Sequence, residues 1–247
     1  MRGGLIRVPA NCWTTSFHYA EPVLLLAIDT ATSAITAALH DGDAVLAESN
    51  TLDARRHGEY LAPGIAHVLA QAGRSPAEIS AVVVGTGPGP FTGLRIGLVT
   101  ARTFAFACGI PVFGVCSLDV LAHQAWLEDA AELGQSCVVA TDARRKEVYW
   151  ARYDITVGGV ERRGEPAVAK AETIANEVRR LPVIGRGGVL YADWFGRRVG
   201  PLDVSAGALA GLAARRLAAG EELVAAEPMY LRRPDARPLP PRQPVLS

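Results

Sequence analysis

The sequence has 247 residues, of which 49% are hydrophobic and 20% are charged, a balance that is ordinary for a folded globular protein. Its 25 basic and 25 acidic residues cancel, so no global field draws the chain onto nucleic acid or an anionic membrane. The 4 cysteines form no CxxC pair and show no zinc-ligand spacing, which favours a reduced compartment, the cytoplasm.

Residues 1–22 lack the continuous apolar segment of a secretory signal, and we expect them to form a disordered extension. Apolar periodicity then predicts the order strand, strand, strand, helix, strand, helix, strand, helix. The corresponding ranges are 23–28, 34–40, 44–49, 55–73, 81–84, 93–108, 111–115 and 117–127. Asp41-Gly42-Asp43 is typical of a hairpin turn, and Ser117 is expected to cap the last helix. A first lobe over residues 23–127, a hairpin-led mixed sheet with helices on it, follows from this order.

The second half, residues 128–231, is predicted to form a second lobe. Four strands are predicted, at 137–141, 147–153, 155–160 and 183–184. Two helices are predicted, at 171–180 and at 205–219, the latter capped by Ser205. The proline- and arginine-rich tail at 232–247 is expected to be disordered.

A glycine-rich segment, GTGPGPFTGLRIG, lies between the strand at 81–84 and the helix at 93–108. Its four characteristic glycines are Gly87, Gly89, Gly93 and Gly97. A loop of this kind can hold a phosphate on its backbone N–H groups. Leu94 stands where a Walker loop has its lysine, and Pro88 and Pro90 remove two donors. The sequence therefore favours a rigid lead-in to the helix, and phosphate binding is the alternative.

Two helices carry small residues every four positions. In the helix at 93–108 they are Gly93, Gly97, Ala101, Ala105 and Gly109. In the helix at 55–73 they are Gly58, Ala62, Ala66 and Ala70. Glycine inside a helix costs about 1 kcal/mol relative to alanine, so each stripe indicates close packing. The partner of that packing is either the sheet of the same chain or a second subunit.

Four blocks occur in order along the chain: LLLAIDTAT, GTGPGPFTGLRIGL, DARRKEVYWARY and MYLRR. Together they resemble the TsaB family, over about residues 23–233. The resemblance implies an α/β fold of the actin-like ATPase class (ASKHA, ribonuclease H-like), with two lobes of mixed sheets flanked by helices. It also implies association through the helices at 55–73 and 93–108. On that basis the expected interface residues are His57, Leu61, Ile65, Phe91, Thr92, Leu94, Arg95, Leu98 and Arg102.

The resemblance further implies a non-catalytic subunit that works with TsaD, the catalytic paralogue, and with the ATPase TsaE. That complex transfers threonylcarbamoyl from its adenylate to the adenosine beside the anticodon of ANN-decoding tRNAs. The expected partners are TsaD as a heterodimer, TsaE, and tRNA through the complex, with a homodimer when TsaD is absent and no membrane. ATP and a metal ion are expected in the partner subunits, and no cofactor is expected on this chain alone.

The chain's own catalytic equipment is sparse. Its 5 histidines include no pair with the HxxxH spacing of the catalytic paralogue, so no metal site is predicted. The nucleotide motifs of the fold survive only as degenerate remnants, at Asp29, Thr30, Asp142, Arg144 and Gly187. We therefore predict no catalytic residue. The alternative is an autonomous ATPase or kinase of the same superfold.

A basic turn, Arg144-Arg145-Lys146, lies between two of the predicted strands of the second lobe. It is either solvated charge or a contact to tRNA phosphates or to acidic groups of a partner.

Overall fold

The structure of the chain, a computed structural model, describes residues 23–53 and 55–232. The expected extension at 1–22 and the expected tail beyond Arg232 lie outside the described residues. The strands, in chain order, are β1 (Leu25–Asp29), β2 (Ala34–His40), β3 (Val45–Leu52), β4 (Ala81–Gly85), β5 (Val112–Val115), β6 (Ser136–Asp142), β7 (Glu147–Thr156), β8 (Gly159–Lys170), β9 (Val183–Ile184) and β10 (Val224–Ala225). The helices are α1 (His57–Ala72), α2 (Phe91–Cys108), α3 (Ser117–Asp129), α4 (Ala171–Val178), α5 (Gly187–Leu190) and α6 (Ala206–Ala218).

The first sheet has the strand order β10-β5-β4-β1-β2-β3. Strands β1, β4 and β5 run parallel, whereas β2 and β3 form an antiparallel hairpin beside them. The predicted turn between β2 and β3 is confirmed, because the Asp41 carboxylate accepts the N–H groups of Asp43 and Ala44. Parallel strands bring their carboxyl ends to one edge of a sheet. Asp29, Gly85 and Val115, the last residues of β1, β4 and β5, therefore lie close together.

Helices cover both faces of this sheet. The core on one face joins Leu61 and Val68 of α1 to Leu94 and Leu98 of α2. The core on the other face is built from α3 and α6. Helix α3 buries nearly its whole first half, residues 117–123, because it also packs against the second sheet. One hydrophobic core thus runs from the first sheet through α3 to the second.

The second sheet has the order β8-β7-β6-β9, and α4 packs on its outer face through Ile174 and Val178. Strands β7 and β8 form a long hairpin that turns between Thr156 and Gly159. The predicted separate strand at 155–160 is wrong, because those residues are the turn of this hairpin. Strand β8 continues to Lys170 through a charged stretch that has no apolar run.

The predicted boundary at residue 128 differs from the packing of the chain's last elements. Helix α6 and strand β10 both follow residue 205 and were assigned to the second lobe. In the structure α6 packs on β1 and β2, and β10 pairs with β5. The last part of the chain therefore returns to the first sheet and completes it. No helix among the described residues is long and apolar enough to cross a membrane.

Candidate functional site

The predicted nucleotide site begins at Asp29, the last residue of β1, which is completely buried. Its carboxylate accepts the Ser117 hydroxyl at 2.6 Å and the Ala31 N–H at 2.8 Å. Burial raises the pKa of Asp29 to about 6, against the lowering effect of the Ser117 hydrogen bond. Ser117 also accepts the Gly87 N–H, so it joins β1 to the glycine-rich loop instead of capping α3 as predicted. The Asp29 carboxylate thus faces its own chain.

The glycine-rich loop packs directly on the segment that follows β1. A Cβ on Gly89 would lie 2.5 Å from the Ala31 carbonyl oxygen, and one on Gly85 would overlap the Asp29 carboxylate. Real Cβ atoms do not come this close, so only glycine allows the two segments to touch. The glycine-rich loop is therefore packed against Ala31 with no space between the two segments.

The glycine stripe of α2 faces inward. The Thr30 hydroxyl donates to the Gly93 carbonyl oxygen at 2.7 Å and accepts the Gly97 N–H at 3.1 Å. A Cβ on Gly97 would overlap the Thr30 oxygen, and Ala101 and Ala105 are buried. The association role considered for this stripe is therefore wrong, because the stripe packs on the chain's own first sheet.

The cleft between the two sheets is almost closed. Asp142 and Arg144 line it, and Arg186 and Asp203 form an ion pair across it at 2.6 Å. Asp203 also accepts the N–H of Ser33, in the turn between β1 and β2. The remaining cavity holds about 30 Å³, enough for a water or two, whereas small-molecule sites occupy about 300–1,000 Å³.

The other predicted remnants do not converge on a ligand. Thr30 is buried against α2, and Gly187 lies against β6, where a Cβ would be 2.8 Å from the Ala140 side chain. The Asp142 carboxylate accepts the Arg144 N–H at 2.8 Å within its own turn. Of the five remnants, the structure brings only Asp142 and Arg144 into the cleft.

The basic turn between β6 and β7 has an unusual backbone. Arg144, Arg145 and Lys146 all have positive φ, at 62°, 54° and 63°. Arg232 holds the turn from outside, donating to the Ala143 carbonyl oxygen at 2.8 Å and pairing with Glu147 at 2.9 Å. Because L-residues disfavour this region, the surrounding contacts must maintain the turn.

The predicted interface residues divide into two groups. Five are buried within the chain, so the prediction that they contact a partner is wrong: Leu61, Ile65, Leu94 and Leu98 in the core, and His57 beside the interlobe cleft. Four are exposed, and for them the interface role stays a prediction: Phe91, Thr92, Arg95 and Arg102. Helix periodicity explains the division, because the buried set lies on the side of each helix that faces the sheet.

Sequence reasoning missed two exposed apolar side chains on α2. Val99 is 62% exposed and Phe106 is 85% exposed. They follow Arg95 and Arg102 at helical spacing, on the side opposite Gly97 and Ala101. Once the glycine stripe is placed on the sheet, the same periodicity identifies them.

Helix α1 adds a second surface beside this one. Its small residues Gly58, Ala62, Ala66 and Ala70 are exposed, unlike those of α2. A Cβ on Gly58 would lie 4.0 Å from Ile96 of α2, so the two helices are neighbours here. We call the following exposed residues the α1–α2 face: Gly58, Ala62, Ala66 and Ala70 of α1, and Phe91, Thr92, Arg95, Val99, Arg102 and Phe106 of α2.

The start of α2 is held by an aromatic stack. The rings of Phe91 and Tyr230 stack at 5.3 Å, and the Arg95 guanidinium lies 4.4 Å from the centre of the Phe91 ring. The described residues contain no group of three His, Cys, Asp or Glu side chains placed to hold a metal ion.

Comparisons with known proteins agree on one family. Residues 45–184 match a family model described as TsaD: tRNA N6-adenosine threonylcarbamoyltransferase. The tRNA threonylcarbamoyladenosine biosynthesis protein TsaB of Escherichia coli is 33% identical over 222 residues, covering 84% of this chain and 94% of that protein. An uncharacterized protein of Mycobacterium tuberculosis is 42% identical over 218 residues, covering 87% and 94%.

Solved structures show the same likeness. YeaZ from Pseudomonas aeruginosa superposes with a TM-score of 0.72 at 32% identity, covering 85% of this chain and 100% of that chain. The predicted fold class, an actin-like arrangement of two mixed sheets flanked by helices, is confirmed.

Proposed function

The chain belongs to the TsaB family and takes part in tRNA threonylcarbamoyladenosine biosynthesis, and from this we propose that it is a non-catalytic scaffold for TsaD. In this role it holds the transferase in an active form while TsaD moves threonylcarbamoyl from its adenylate to tRNA. TsaE and tRNA join through the complex, in the cytoplasm, and two copies of this chain associate when TsaD is absent. ATP and the metal ion belong to the partner subunits.

The observation that carries the proposal is the filled nucleotide site. The glycine-rich loop packs on Ala31, and the Arg186–Asp203 pair spans a cleft of about 30 Å³. A kinase or ATPase of this architecture needs that space for its nucleotide. The chain instead fills the site with its own backbone, which makes the first sheet a rigid platform for α1 and α2.

The α1–α2 face supports the choice of a docking surface. Phe106 and Val99 are large apolar side chains left in water on a single helix, and burying each adds about 1.5–3 kcal/mol to association. The exposed glycine and alanine residues of α1 allow a partner helix to approach closely. Arg95 and Arg102 flank the apolar residues and add directional contacts.

The test is reconstitution of tRNA modification from purified subunits. Val99→Glu and Phe106→Glu should abolish co-purification of TsaD and reduce modification to the level seen without this chain, while thermal stability stays native. Val157→Glu, which changes an exposed apolar residue in the β7–β8 turn, is the matched control and should bind TsaD normally. Retention of TsaD by both α2 variants would overturn the proposed surface.

The autonomous ATPase or kinase is tested with the isolated chain. Incubation with Mg-ATP should give no turnover, because the interlobe cleft is closed by the chain itself, and binding without turnover is compatible with the scaffold. Micromolar binding with turnover would instead favour the enzyme.

A further inference from the structure

A large cavity lies between α3, α6 and the β7–β8 hairpin, and none of its lining residues lines the interlobe cleft. Its volume is about 720 Å³, within the range of about 300–1,000 Å³ typical of small-molecule sites. Its polar lining includes one central side chain from each of α3, β7, β8 and α6, which are Asp119, Tyr153, Arg162 and Arg216. We call it the Asp119 cavity.

A single buried carboxylate organises these side chains. Asp119 Oδ1 accepts Arg162 Nη1 at 2.7 Å and the Tyr153 hydroxyl at 2.9 Å, and its Oδ2 accepts Arg216 Nη2 at 3.3 Å. Two guanidinium groups therefore share one negative charge at the floor of the cavity. Across the whole lining, Glu161, Glu165 and Glu221 bring the acidic residues to four, against the three cations Arg162, Arg215 and Arg216.

Both guanidinium groups retain unused donors. Arg162 Nε donates to the Gly164 carbonyl oxygen at 3.2 Å, but its Nη2 makes no hydrogen bond to any described residue. Arg216 Nη1 is likewise without a hydrogen bond inside residues 23–53 and 55–232. The Arg162 and Arg216 side chains are 24% and 29% exposed, so they are held within the lining but remain accessible to a ligand from solvent.

The groups around the cavity feel charges of both signs, since burial and the negative charge of Asp119 raise the pKa of Tyr153 whereas Arg162 lowers it. Burial, together with the smaller effect of the Arg215 and Arg216 charges, lowers the pKa of His123 to about 4. The acidic residues of the lining, Glu161, Glu165 and Glu221, are exposed at the rim, where water screens them. Glu221 approaches Arg216 Nε only to 3.9 Å.

We propose that the Asp119 cavity binds the phosphate group of a small phosphorylated molecule, seated on Arg162 and Arg216. Guanidinium forks match phosphate oxygens with two parallel hydrogen bonds, and the unused Nη donors of Arg162 and Arg216 are available to form them. The cavity is larger than a phosphate group, so the rest of the molecule occupies the remaining volume. This site is separate from the proposed docking surface and does not depend on it.

The first test is calorimetry of the full chain at low ionic strength with inorganic pyrophosphate, AMP and adenosine. Pyrophosphate and AMP should bind, whereas adenosine, which lacks the phosphate, should not. Tighter binding of AMP than of pyrophosphate identifies a nucleotide as the ligand, and the reverse order identifies a simple phosphate. No heat with either anion, or equal binding of adenosine, overturns the proposal.

Variants locate the site. Arg162→Gln and Arg216→Gln should each weaken pyrophosphate binding about tenfold, because each removes a charged pair of hydrogen bonds. Arg74→Gln removes an exposed guanidinium that pairs with Glu78 outside the cavity, and should leave the affinity unchanged. Unchanged affinity in both cavity variants would contradict the proposal.

A measurement on the unmodified chain covers the case in which a cavity variant fails to fold. The His123 ring can be followed by NMR as the pH is lowered, with and without saturating pyrophosphate. An anion on the arginines should offset their charge and raise the pKa of His123 from about 4. An identical titration in both samples would place the anion elsewhere.

Discussion

Two buried titratable side chains, Asp29 and His123, oppose each other in the pH dependence of stability. Burial raises the pKa of Asp29 from 3.8 to about 6, and it lowers the pKa of His123 from 6.5 to about 4. Between pH 3.8 and about pH 6, the native state holds a proton on Asp29 that the unfolded chain releases, so the free energy of unfolding falls as pH rises. Native His123 lacks a proton that the unfolded chain binds, so its contribution rises with pH.

Removing one of these two groups should leave the pH dependence of the other uncompensated. Between pH 4 and pH 6, Asp29→Asn should make the free energy of unfolding rise by about 3 kcal/mol more than in the unmodified chain, and His123→Gln should make it fall by a similar amount. Urea denaturation at several pH values measures both slopes. Parallel curves for Asp29→Asn and the unmodified chain would contradict the assignment.

Ser117→Ala is the companion variant. The Ser117 hydrogen bond lowers the pKa of Asp29, so its loss should raise that pKa and extend the fall in stability to higher pH.

At the scale of single elements, the β6–β7 turn is held in a conformation that its residues disfavour. Lys146 has φ 63°, and the left-handed region costs an L-residue roughly 1–2 kcal/mol relative to glycine. Lys146→Gly should therefore raise the free energy of unfolding by about 1 kcal/mol, after the extra flexibility of the unfolded chain is counted. Chemical denaturation measures the change.

Lys170 provides the matched control for this variant. It ends β8 with φ −68° and ψ 137°, a conformation that any residue adopts. Lys170→Gly should lower stability by up to about 1 kcal/mol, because glycine brings only added flexibility there. If both substitutions change stability in the same direction, the strain assigned to the turn is wrong.

The elements show which features the sequence could predict. Strands β1 and β4 and helices α1 and α2 have strong apolar periodicity, so they were predicted close to their observed bounds. Strand β8 alternates charged residues that pair across the hairpin, such as Arg163 with Asp154, and it lacks an apolar signal. Strand β10 has only two residues and owes its existence to pairing with β5.

The candidate site was predictable only in part, for a related reason. Asp29 and Ser117 are far apart in the sequence, and their hydrogen bond depends on parallel strands ending at one edge of the sheet. The glycine stripe of α2 correctly indicated close packing. It could not identify the partner, because Thr30 of the same chain and a helix of another chain require the same small residues. Because Gly97 is buried against Thr30, the glycine stripe packs within the chain. The exposed surface of α2 lies on its other side, at Val99.

At the scale of the whole molecule, the two sheets share one core. Leu118 and Leu121 of α3 pack in a cluster that includes Val83 of the first sheet together with Val139 and Tyr153 of the second. The last part of the chain also returns to the first sheet through α6 and β10. Neither sheet can lose its structure without exposing apolar surface of the other, so the two lobes should unfold together.

We therefore expect one cooperative transition in urea, with the same midpoint by far-ultraviolet circular dichroism and by tryptophan fluorescence. Ile65→Ala weakens the core beneath α1, and Ile174→Ala weakens the outer face of the second sheet. Each should lower the free energy of unfolding by roughly 2–5 kcal/mol and shift the single transition as a whole. A second transition that moves only with Ile174→Ala would mean that the lobes fold independently.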